Sequence, residues 1–73
     1  MNKDLAKYIT VDKEIAGGVA VFKGTRVAVK TLFDYLEESS LEQFLAGFPS
    51  VSKVQAEAVI EMAADKLLAE LAA

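Results

Sequence analysis

Residues 39–55 read Ser39-Ser40-Leu41-Glu42-Gln43-Phe44-Leu45-Ala46-Gly47-Phe48-Pro49-Ser50-Val51-Ser52-Lys53-Val54-Gln55, and this stretch carries the architecture of the chain. Ser40 with Gln43, and Ser52 with Gln55, each have the capping-box spacing, in which a hydroxyl and an amide three residues on satisfy each other's free N–H groups at a helix start. Two helices therefore begin here. Between them Gly47 suits a left-handed C-terminal cap, and Pro49 forbids continuation while pushing Phe48 towards extended geometry. The pattern predicts a short helix over about Leu41 to Ala46 and a long Ala-rich one from Lys53 nearly to the C-terminus.

Upstream, Val29, Leu32, Phe33 and Leu36 recur at helical spacing while Lys30, Asp34, Glu37 and Glu38 take the other face, which gives a first amphipathic helix over about Ala28 to Glu38. Further back, Tyr8-Ile9-Thr10-Val11 and Val19-Ala20-Val21-Phe22 are rich in β-branched and aromatic residues and read as short strands. Gly17-Gly18 supplies the turn between them, and Gly24 breaks the chain after the second. A lone two-stranded hairpin is barely stable in water, so this one must pack on helices or on another chain. The expected fold is mainly α: a single domain with a β-hairpin or arm over 1–27 and a three-helix helix-turn-helix unit over 28–73.

The long helix offers two apolar faces. Val54, Ala58, Val59 and Met62 suit packing on the preceding helices, whereas Ile60, Ala64, Leu67 and Leu71 are spaced four, three and four, the seam spacing of paired helices. Ala63 and Ala64 permit close approach there. Two heptads are too few for a free-standing coiled coil, so the seam reads as a dimer or partner surface. Chain length points the same way, because 73 residues make a marginal core that buries only about 60% of the unfolded surface. With no Cys and no His, disulfides and zinc held by thiolate or imidazole are excluded, and oligomerisation is the remaining source of stability. A homodimer is expected. No apolar run reaches the ~18 residues of a membrane span, and Met1-Asn2-Lys3-Asp4 is not followed by a signal-peptide apolar region, so an intracellular, cytoplasmic protein is expected.

The net charge of −3 conceals a split. Up to Lys30 six basic residues face three acidic ones, and from Thr31 onwards two face eight. A basic front and an acidic back can touch phosphate with one end and a basic protein with the other, or be ordinary solvated surface. Candidate nucleic-acid contacts are Lys23, Arg26, Lys30, Lys53 and Gln55. Arg26 is the best donor, and it is equally suited to pinning the arm. Glu57 and Glu61 on the long helix oppose phosphate. Catalysis finds no foothold: the usual general base, thiol nucleophile and soft metal ligands are missing, no Ser lies in a Gly-x-Ser-x-Gly turn, and Gly17, Gly18 and Gly24 do not make a phosphate loop. A non-catalytic protein with no cofactor is expected.

Residues 8–29, Tyr-Ile-Thr-Val-Asp-Lys-Glu-Ile-Ala-Gly-Gly-Val-Ala-Val-Phe-Lys-Gly-Thr-Arg-Val-Ala-Val, resemble the opening of the bacterial domain of unknown function 433 family, with Lys23-Gly24-Thr25-Arg26 as its Lys-Gly-Thr-Arg element. The likeness continues through Leu32 to Leu36, Leu41 to Leu45 and Phe48-Pro49-Ser50-Val51. It implies a homeodomain-like helix-turn-helix and an antitoxin role beside a PIN-like ribonuclease toxin, and a regulator of that kind can also bind its own operator DNA. The chain departs from the family pattern at Ala20 and Ala28, where Pro is frequent, at Lys13, where Pro often follows the Asp, and at Glu57, where a basic or amide residue is common. The alternative is an interaction or dimerisation module of the same fold that has lost DNA binding.

Overall fold

A computed structural model describes residues 5–72; the leader reading of Met1 to Asp4 lies outside them. The chain is mainly helical with a two-stranded antiparallel sheet. A one-turn helix α1 (Leu5–Tyr8), not foreseen in the sequence, runs straight into β1 (Ile9–Thr10). This pairs with β2 (Val21–Phe22) in the register Ile9 to Phe22 and Thr10 to Val21. Both strands are shorter than their sequence pattern. At the first, Tyr8 is drawn into α1, and beyond Thr10 the chain turns at Asp12, whose carboxylate accepts from the Glu14 N–H at 2.9 Å. A short 3₁₀ turn, Ala16–Gly18, carries three successive positive φ angles, 52°, 72° and 93°. Two fall on the expected glycines, and the third on Ala16.

Two-residue strands hold because β2 is bonded on both sides. After it the chain doubles back through Gly24, at φ 81°. The Phe22 N–H then donates to the Val27 carbonyl at 3.0 Å, and Val29 donates to Ala20 at 2.9 Å. That last bond also satisfies the first free N–H of α2 (Val29–Leu36), whose N-cap Ala28 has no side chain to do so. β2 is thereby the floor of the fold, with Val21 and Phe22 wholly buried.

The helix starts follow the sequence closely. α3 (Leu41–Gly47) opens on a complete capping box, with Gln43 N–H to Ser40 Oγ at 3.1 Å and Ser40 N–H to Gln43 Oε1 at 3.0 Å. α4 (Lys53–Ala72) opens on the same device at Ser52 and Gln55. Gly47 is not a left-handed cap. It stays helical, the chain leaves the helix at Phe48 ahead of Pro49, and a Cβ at Gly47 would stand 3.4 Å from the Tyr35 hydroxyl.

The core gathers Phe22, Leu32, Phe44, Val51, Ala56 and Val59. Phe44 is its centre, with ring centroids 6.1 Å from Phe22, 5.7 Å from Tyr35 and 5.0 Å from Phe48. Phe33, expected on the inner face of α2, lies at its edge, and Val54 is 65% exposed because Ala56 takes the inward position on the first turn of α4. Among the described residues no helix is long and apolar enough to cross a membrane.

Candidate functional site

The basic candidates lie around the turn that links β2 to α2. Thr25 holds that turn: its Oγ1 donates to the Phe22 carbonyl at 2.8 Å and accepts from the Val27 N–H at 3.0 Å. The sequence left Arg26 equally suited to phosphate contact and to pinning the arm; among the described residues no hydrogen bond or ion pair engages the guanidinium, and Arg26 is exposed. The overlooked signal was the hydroxyl two residues ahead of an N–H it can cap, a local turn in itself.

Gln55 joins this turn to α4. Its Nε2 donates to the Lys23 carbonyl at 2.9 Å while its Oε1 accepts from Ser52, so both ends of the amide are engaged within the chain. Lys23, Arg26, Lys53 and Gln55 are thus brought to one corner, where the turn meets the first turn of α4. Three of the cations there and nearby already have neighbours. Lys23 Nζ lies 3.3 Å from the Ala6 carbonyl, Lys53 is 4.0 Å from Glu57, and Lys30, in the first turn of α2, bonds Asp34 at 2.9 Å. The hydrogen bond to Asp34, then the charge of the same carboxylate, raise the Lys30 ammonium above the ordinary lysine value; desolvation opposes this and Glu37 assists. All of these contacts are solvent-facing and exchangeable. Arg26 is the donor most ready for phosphate or carboxylate.

The second candidate surface is the apolar seam of α4. The structure divides it: Ile60 is half-buried against the core, while Ala64, Leu67 and Leu71 face solvent. Leu67 is 59% exposed and Leu71 73%, and Leu68, absent from the seam as read, adds 63%. It belongs to the same face, about 80° round from Ile60 at about 100° per residue. At the body end the face opens into a shallow groove of Leu41, Ile60 and Ala64, rimmed by Glu57 and Glu61.

Among the described residues, carboxylates nowhere gather in a group able to hold a metal ion. The two surfaces offer recognition: a cationic corner, and an apolar helix face with an acidic edge. The family model described as a protein of unknown function (DUF433) matches residues 9–63. No curated protein and no solved structure matches.

Proposed function

The chain belongs to the DUF433 family, and we propose that it acts as a non-catalytic, antitoxin-like module of the helix-turn-helix kind that binds another protein through the outer half of α4. The observation that carries this reading is the exposure of Leu67, Leu68 and Leu71 on one side of a helix whose inner half is core. Fully burying one such leucine is worth roughly 1.5–3 kcal/mol. A contiguous apolar face left to water marks an interaction surface. The family resemblance supplies the class of partner, a PIN-like ribonuclease toxin. The cationic corner around Arg26 supplies a second contact, with phosphate of operator DNA, in which α4 takes little part because Glu57 and Glu61 lie on its exposed side.

A second reading is favoured by the four-three-four spacing of Ile60, Ala64, Leu67 and Leu71: two copies of the chain pair along that line. The experiment for the first reading is co-expression with the product of the adjacent gene. Wild type is expected to retain that product through purification, and the double variant Leu67→Glu, Leu71→Glu to lose it. Retention by the double variant would exclude α4 as the binding surface.

A further inference from the structure

We infer that the outer face of α4 is built to receive a cationic amphipathic helix of a different protein, and not a second copy of this chain. The inference rests on reading α4 as the partner-binding surface and names the chemistry of its occupant.

The apolar face has a charged edge. Glu57, Glu61 and Asp65 follow one another at intervals of four, so they stack as a ridge along one flank of the stripe that holds Ala64, Leu67, Leu68 and Leu71. All three are exposed. Glu57 has Lys53 at 4.0 Å, and among the described residues neither Glu61 nor Asp65 has an ion-pair partner. Like charges four apart oppose helix formation. The other flank holds Ala63 and a pair already closed on itself, Lys66 with Glu70 at 3.2 Å.

A second copy answers this edge poorly. From Glu57 to Leu71 each chain carries four carboxylates and a single ammonium. An antiparallel copy would set the two acidic flanks against each other, and a parallel one would set each ridge against Ala63 and the Lys66–Glu70 pair, which offers a single ammonium already engaged. From Ile60 to Leu71 the stripe runs about 18 Å. A partner helix with an apolar stripe and Lys or Arg every four residues along one edge matches both features. Its leucine-like residues cover Leu67, Leu68 and Leu71, and its cations face the ridge. At the groove, a Lys or Arg stem can lie across Leu41 and Ile60 with its head at Glu57 and Glu61. Ala64 and the three leucines stand beyond the residues matched by the family model.

The test uses the full chain and two synthetic peptides of about 16 residues, enough to run the length of the stripe. Both carry the same leucine stripe; one has Lys and the other Glu along the edge. Wild type is expected to sediment as a monomer at concentrations on the order of tens of micromolar. It is expected to bind the Lys peptide at least about tenfold more tightly than the Glu peptide, less so as salt rises. The triple variant Glu57→Gln, Glu61→Gln, Asp65→Asn is expected to lose on the order of tenfold in affinity, each exposed pair being worth roughly 1.5- to 5-fold. Glu37→Gln with Glu38→Gln, off the ridge, is expected to leave binding unchanged. Equal binding of the two peptides, or equal loss in the off-ridge variant, would overturn the charge selection while leaving α4 a docking surface. A wild-type dimer dissociated by Leu67→Glu would overturn it in favour of a second copy. If Leu67→Glu, Leu71→Glu still retains the neighbouring gene product, the proposed function fails, whatever the peptides do.

Discussion

Both halves of α4 are rich in apolar residues, yet they belong to different parts of the molecule. In the inner half Ala56 is wholly closed to solvent and Val59 nearly so, although one of them is only an alanine. In the outer half three leucines stand more than half exposed. Apolar content therefore does not decide what is core. What decides is whether other elements cover it, and the last residues of α4 packed against the core are Ile60 and Met62. A helical period shows which residues can share a face and is silent on what covers it.

The comparison breaks most visibly if truncation costs the same in both regions. Phe44→Ala empties the centre of the aromatic cluster and is expected to cost about 3–5 kcal/mol, enough to unfold much of so small a domain. Leu71→Ala is expected to stay within about 0.5 kcal/mol. Urea denaturation of the two variants checks both. A smaller contrast lies within the body, at neighbouring positions of one turn. Thr25→Val removes two hydrogen bonds and leaves the Val27 N–H without its acceptor, at a cost of about 1–2 kcal/mol. Arg26→Ala is expected to leave the melting temperature unchanged, because the guanidinium has no partner among the described residues, and to weaken phosphate binding alone.

The smallest effect belongs to Lys30 and Asp34, a contact on the body's surface with no burial. Asp34 raises the Lys30 ammonium above the ordinary 10.5. A pKa raised by folding contributes stability that is fully present below the unfolded lysine value and is lost as the pH climbs through the folded one. Asp34→Asn is expected to lower the Lys30 titration midpoint, read by NMR, with no detectable change in melting temperature at neutral pH. A clear loss of stability there would mean that surface contacts, and not burial, separate the regions.

The sequence was most legible where the determining interactions are local. Both capping boxes and the starts of α3 and α4 followed from residues three apart, and the hairpin followed from β-branched runs around Gly17-Gly18. What depended on distant neighbours was not legible. Gln55 reads as a base-contacting amide until its bond to the Lys23 carbonyl, 32 residues away, is seen. Gly47 reads as a left-handed cap, whereas the chain stays helical there and leaves the helix at Phe48. The seam of α4 was read as one line of residues without Leu68, and that its first member is packed while the rest are bare depends on the reach of the other helices.

Amide hydrogen exchange along α4, in the chain alone and with the product of the adjacent gene, tests the central claim most directly. In the chain alone, protection is expected through about Met62, where the helix is packed, with rapid exchange over the outer half, since a helix end without tertiary cover opens at little cost. On adding the partner, protection is expected to extend to Leu71. Uniform protection to Leu71 in the chain alone, or no gain on adding the partner, would contradict the assignment of this half of the helix as a binding surface.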